Sequence, residues 1–305
     1  MIKNIKLLLF CLFISILIFL LASIANGESS NPFEEQACLK PSVDFWEQVY
    51  KTYGENDAVF FHDRTFEIYK VIKIPSFDQK KQRHKAVRQA ALELRKTLTE
   101  EQFRHVRVQV GVKERFMKGI KIGGKLIPQI QDQLSSNGIP PDLAMIPLIE
   151  SSFQFNALSR VGARGPWQVM PGTLRMYSKV SKNKLNDLKF STGIAILILK
   201  DSYDATRSWS LAINAYHSGI GRLVKAKEQF GSNICSIIDN YQVGAYKFAS
   251  RNYYSQFLAA KRIYYNTYFE KQVTTPQKIE KEKKKVKVEK KKIKKVKKVK
   301  KVKKV

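Results

Sequence analysis

The sequence predicts a mainly α-helical protein, and three observations carry that expectation. Residues 139–149 are apolar nearly all round and open with Pro140-Pro141-Asp142, where proline is tolerated in a first helical turn and an acidic side chain suits the positive end of the helix dipole. Apolar and aromatic runs of helix length recur from residue 190 to residue 268, separated by short polar joins. A loop rich in Gly and Pro covers residues 162–172, and no internal repeat is visible.

A chain of 305 residues is long enough for one large domain or two modest ones. Its formal net charge is +29, but residues 277–305 hold 17 Lys against 3 Glu, so about half of the excess lies in the last stretch. Such a balance favours anionic partners, whether nucleic acid, lipid surface or carboxylate-bearing cell wall, and charge does not choose among them. The N-terminus does. Lys3 and Lys6 precede an apolar run from Leu7 to Ile24, and Ser23 and Ala25 fit the small positions of a cleavage site. Residues 1–25 are therefore a signal peptide or an N-terminal anchor, and the rest is exported to the periplasm or cell envelope. Cys38 and Cys235 remain after removal of this segment. An oxidising compartment permits their pairing, although two cysteines without a spacing signature are weak grounds for it. His62, His84, His105 and His217 look scattered, which predicts no metal and no other cofactor.

Taken in order, residues 26–125 read as a helical N-terminal region. Within it, 28–45 is a polar spacer and 79–98 a helix with Val87, Ala91 and Leu94 on one face. Helix-compatible residues continue from Glu101 to Met117. Gly123-Gly124 reads as a break, followed by a helix from Leu126 to Leu134 that stops at Asn137-Gly138. Residues 126–270 form the domain of interest. Residues 190–200 and 208–216 read as buried helices, the first with a strand-like composition, and helices at 222–230 and 252–268 close the domain. Residues 271–305 are a basic tail in which Val and Ile recur every third residue from 293 to 305. That period never builds a helical face, so the tail is expected to be a disordered polycation. It suits anionic envelope polymers and offers no aromatics for specific nucleic-acid binding.

One carboxylate is out of place. Leu143, Ile146 and Glu150 lie at i, i+3 and i+7 and share a helix face, among apolar neighbours from Ala144 to Ile149. Loss of water and the negative end of the helix dipole both raise the pKa of a carboxyl there, the condition a general acid needs near neutral pH. A helix end that simply emerges into solvent would explain the same pattern.

What surrounds Glu150 resembles a family. PLIESSF (147–153), GARGPWQVMPGT (162–173) and AINAYHSGIGR (212–222) resemble, in order, the Glu-Ser pair, the Gly-x-x-Gly-x-x-Gln-x-Met-Pro-x-Thr loop and the Ala-Tyr-Asn-x-Gly segment of the soluble lytic transglycosylase (SLT) catalytic domain, glycoside hydrolase family 23. GVKERFMKGI, GKLIPQIQDQLSSNGIPPDLAMIP and NYYSQFLAAKRIY are similar to its membrane-bound D-type branch, extending the likeness over about residues 105–265. The resemblance implies a lysozyme-like (goose-type/SLT) helical domain that acts on the glycan strands of peptidoglycan. It implies non-hydrolytic cleavage between N-acetylmuramic acid and N-acetylglucosamine with a 1,6-anhydro product. Glu150 would be the one catalytic residue, acid and then base, rather than one of the usual carboxylate pair.

The same resemblance assigns substrate binding to Ser151, Ser159, Gln168, Met170 and Tyr216. Read without it, the serines are equally good helix-end and turn caps, Met170 is core filler, and Gly162 and Gly165 serve a tight turn. His217 stands where the family carries Asn. It keeps hydrogen-bonding capacity, and it opens a pH dependence if its ring becomes cationic. Goose-type hydrolysis by water, and a non-catalytic protein that binds cell wall or anionic polymers on the same fold, are the alternatives to the transglycosylase. No wall-binding repeats follow the domain; the lysine tail occupies that place.

Overall fold

The computed structural model describes residues 32–244 and 246–270. The expected leader, 1–25, and the expected basic tail, 271–305, lie outside them. Eleven α-helices dominate the described residues: α1 (Lys40–Lys51), α2 (Lys80–Arg95), α3 (Glu100–Arg104), α4 (Lys113–Ser135), α5 (Ile146–Glu150), α6 (Pro171–Tyr177), α7 (Leu188–Thr206), α8 (Trp209–Ser218), α9 (Ile220–Phe230), α10 (Ile234–Asn240) and α11 (Phe248–Tyr265). None of these helices is long and apolar enough to cross a membrane.

The mainly helical expectation holds, with one addition. The N-terminal region is not helical throughout. Strands β1 (Asp57–His62), β2 (Ile68–Lys73) and β3 (Val106–Val110) form an antiparallel sheet in the order β2-β1-β3. Ala58 pairs with Ile72 on one side and Val110 on the other. Residues 106–110, read as helix from the sequence, alternate as VRVQV, a strand pattern that the flanking helix-formers obscured. Because successive side chains of β1 point to opposite faces, the strand serves two cores. Val59 and Phe61 join the main core, and Ala58 and Phe60 pack with Ala90 and Leu94 of α2.

The second correction concerns α4. It runs unbroken through Gly123-Gly124 and Pro128. These glycines are there for close approach. A Cβ on Gly119 would come 2.8 Å from the Ser152 Cβ, and one on Gly123 would come 3.0 Å from the Phe153 ring. A Cβ on Gly124 would overlap the Tyr268 ring. The small residues let α4 lie directly against the turn after Glu150. Residues 190–200, with their strand-like composition, belong to helix α7, which the Asp187 side chain caps by accepting from Phe190 N.

The core gathers around α11, which packs on α1 and α8, while α7 packs on α8. Trp46 Nε1 donates to Asn252 Oδ1, and Arg262 pairs with Glu35, Asp44 and Glu47, so the N-terminal helix and the closing helix are joined in both core and rim. Cys38 and Cys235 form a disulfide across 197 residues, which ties the start of α1 to α10.

Candidate active site

The site is built where α4, α5, α8 and α11 meet. The helix that carries Glu150 proves shorter than expected: a 3-10 turn over Pro141–Met145 leads into α5, of which Glu150 is the last residue. Leu143, Ala144, Met145, Ile146 and Leu148 are buried, so the acid ends a segment anchored in the core. Ser152 and Phe153 then adopt positive φ, a left-handed turn that two L residues hold only where packing over-determines it. Phe153 is buried against Gly123, which supplies that packing.

Burial raises the Glu150 pKa to about 7, opposed by a hydrogen bond from Tyr253. The Tyr253 hydroxyl donates to Glu150 Oε1 at 2.5 Å. Among the described residues no other side chain hydrogen-bonds this carboxyl, so the proton of the neutral acid belongs on Oε2. Burial also pushes up the hydroxyls of Tyr50, Tyr216 and Tyr253, and Glu150 adds to each shift. Three neutral tyrosines therefore surround the acid.

Two of the sequence-predicted residues gather directly at this centre. Tyr216 donates to the Trp167 carbonyl at 2.7 Å, fastening α8 to the glycine loop beside Glu150. His217 stacks on Tyr253 with centroids 4.5 Å apart, one ring removed from the carboxyl. The cationic His217 that the sequence left open is disfavoured. Burial lowers its pKa, and Arg222 lowers it further.

The polar residues of the loop are engaged in building it. Ser151 Oγ donates to the Pro166 carbonyl at 2.8 Å, Ser159 Oγ accepts from Ala163 N at 2.9 Å, and Gln168 Nε2 donates to the Gly165 carbonyl at 2.9 Å. Among the described residues nothing donates to the amide oxygen of Gln168. Gly165, at φ +73°, lies so close to the Leu185 carbonyl that a Cβ would overlap it. Trp167, fully buried, donates from Nε1 to Thr192 Oγ1 and pins the loop to α7. Met170 stands at the N-terminal boundary of α6 and is 39% exposed, which places it on the surface rather than in the core.

Sequence reasoning missed Tyr253 and Tyr50. NYYSQFLAAKRIY offered two adjacent tyrosines and no means of choosing between them. Nor are the histidines all scattered. His62 and His105 stack at 4.7 Å, and His105 Nδ1 lies 2.8 Å from Asp63. Asp63 is the third member of a His-Asp-His group with the spacing of metal ligands. Its carboxylate also accepts from Arg107 and lies 3.9 Å from Arg251, so its charge is balanced by cations of the chain itself. The group links the sheet to α11.

Residues 128–237 match the family model of the transglycosylase SLT domain. The membrane-bound lytic murein transglycosylase D of Escherichia coli K12 is 35% identical over 103 residues, 32% of this chain and 22% of that protein, and the same protein of Escherichia coli O6:H1 matches equally. The chain thus spans about a fifth of the length of these relatives. Among solved structures, the 70-kDa soluble lytic transglycosylase of Escherichia coli superposes with a TM-score of 0.38 at 22% identity, over 46% of this chain and 24% of that one. The lytic transglycosylase Slt of Pseudomonas aeruginosa, solved as an inactive mutant, gives 0.37 at 22% identity, over 45% and 23%. Residues 128–237, which carry Glu150, Gln168 and Tyr216, thus match the transglycosylase SLT domain, and the chain is similar in sequence to the membrane-bound lytic murein transglycosylases D.

Proposed function

We propose that the chain is an exported peptidoglycan lytic transglycosylase in which Glu150 serves first as acid and then as base. The observation that carries the reading is one carboxyl, raised to about pH 7 by burial and oriented through Oε1 by the Tyr253 hydroxyl. A neutral acid of that pKa gives up a proton readily at the pH of the cell envelope and takes one back.

In this reading the Oε2 proton goes to the oxygen that bridges N-acetylmuramic acid and N-acetylglucosamine, and the C–O bond to the anomeric carbon breaks. The 6-hydroxyl of the same muramyl residue forms the new bond to that carbon. Its proton passes to Glu150 and restores the acid, so no water is consumed and a 1,6-anhydro end results. What supports a single acid is that no second carboxylate among the described residues contributes to the shift of Glu150. The surrounding tyrosines are uncharged and polar, a setting that tolerates charge developing on the sugar. Gln168, Met170 and His217 are proposed to line the glycan site, and Ser151 and Ser159 to hold the loop that presents it. The disulfide supports an oxidising, extracytoplasmic location. Residues 7–24 as an anchor and the lysine tail as a tether to anionic envelope polymers belong to the same proposal.

Digestion of purified sacculi with the full chain, followed by mass analysis of the released muropeptides, tests it. Anhydro-muramyl products are expected from the wild type and none from Glu150→Gln. Reducing-end products would instead identify hydrolysis, and unchanged release by Glu150→Gln would refute the assignment.

A further inference from the structure

The side of the site that faces α4 carries a cation that the chemistry above leaves unused. Arg115, Gly119 and Gly123 stand at i, i+4 and i+8 on one stripe of α4. Gly123 touches Phe153 and Gly119 touches Ser152. Arg115 stands one turn before Gly119 on the same stripe, toward the N-terminus of α4. Its neighbour Phe116 stacks on Tyr50 with centroids 4.1 Å apart, and Tyr50 registers the charges of both Arg115 and Glu150. Tyr50 is thus within electrostatic reach of both.

Arg115 is exposed, and no hydrogen-bond or ion-pair partner is found for it among the described residues. The adjacent carboxylate does not neutralise it, because Glu114 accepts from Glu55 N at 3.0 Å and lies against Gly54. An arginine fixed at its base on a packed helix stripe, with its fork uncommitted, is suited to a planar anion, which it binds through two parallel N–H···O bonds.

From this placement we infer that Arg115 is a specificity-determining residue that binds a carboxylate carried on the muramyl side branch of the glycan while the bridging oxygen is at Glu150. The inference rests on the proposed substrate and deepens it. In peptidoglycan that carboxylate has two sources. It belongs to the stem peptide where the stem is attached, and to the lactyl group where the stem has been removed.

The test is calorimetric binding in the full chain carrying Glu150→Gln, which separates recognition from cleavage. The probes are stem-bearing glycan fragments, fragments stripped of stems by an amidase, and chitotetraose, which has no carboxylate. Adding Arg115→Ala is expected to weaken binding of one or both muramyl probes by about 10-fold or more, the scale of a charge-assisted pair. Chitotetraose affinity should change less than twofold. The muramyl probe that loses affinity identifies the source of the carboxylate. Arg115→Lys should recover part of the loss, since it keeps the charge and loses the fork. Equal loss on all three probes, or no loss on either muramyl probe, would overturn the assignment. If the wild type released no anhydro products while the Arg115 discrimination held, the proposed reaction would fall and the carboxylate site would stand.

Discussion

Glu150 is held neutral by the loss of water around it, and the Tyr253 hydroxyl tempers that effect. The folded-state pKa of about 7 lies above the ordinary carboxyl value of 4.5. Two consequences follow from the sign. The rate of cleavage, which needs the protonated acid, should fall as pH rises through about 7. Folding stability gains fully from the bound proton below about pH 4.5 and loses that gain as pH rises through 7. Glu150→Gln should therefore stabilise the fold at pH 8 by about 1–3 kcal/mol and have little effect at pH 4, measured by denaturant unfolding at the two pH values. Tyr253→Phe removes a bond that favours the charged form, so the alkaline limb of the rate profile should move to higher pH. The rate at its maximum should fall about 10-fold as the carboxyl loses its orientation. A limb that moved down in pH would contradict the assigned direction of that bond. The loss of water around Glu150 was legible in the sequence because the apolar residues that cause it, from Leu143 to Ile149, are its chain neighbours. Tyr253 was not, because the contact spans 103 residues and a hydroxyl carries no sequence signature of its partner.

At the scale of elements, the glycine loop and α4 both pack against the turn that follows the acid. Gly165 combines a positive φ with a backbone carbonyl where a Cβ would be, so Gly165→Ala should cost about 2–4 kcal/mol and lower the melting temperature. Gly162 also has a positive φ, +94°, but open space around it, so its alanine variant should cost less. Comparing the two by thermal unfolding separates backbone strain from collision. In α4 the pair Gly123-Gly124 looked like a break because glycine weakens an isolated helix. Here the missing side chains admit Phe153 and Tyr268, and that packing outweighs the propensity. The sheet was hard to read for a related reason. Its strands are five or six residues long and β3 lies between helical segments, so the alternation in VRVQV was too short to outweigh its neighbours.

Across the whole molecule, the N-terminal and C-terminal parts of the described chain are locked together by the Cys38–Cys235 disulfide and by the Arg262 cluster with Glu35, Asp44 and Glu47. A cross-link that closes 197 residues restricts the unfolded chain strongly. Cys235→Ser should cost about 3–5 kcal/mol, and reducing agent should lower the wild-type melting temperature but leave the variant unchanged. Order along the chain and helical character were readable from apolar spacing and three motifs in register. Which ends meet was not, since two cysteines and four distant charges name no partners until the fold supplies them. The proposed chemistry requires a neutral carboxyl at position 150, and difference infrared spectroscopy of wild type against Glu150→Gln observes it directly. A protonated carboxyl band should be present at pH 5.5, lost by pH 8.5 and half-lost near pH 7. A carboxylate already ionised at pH 5.5 would contradict it.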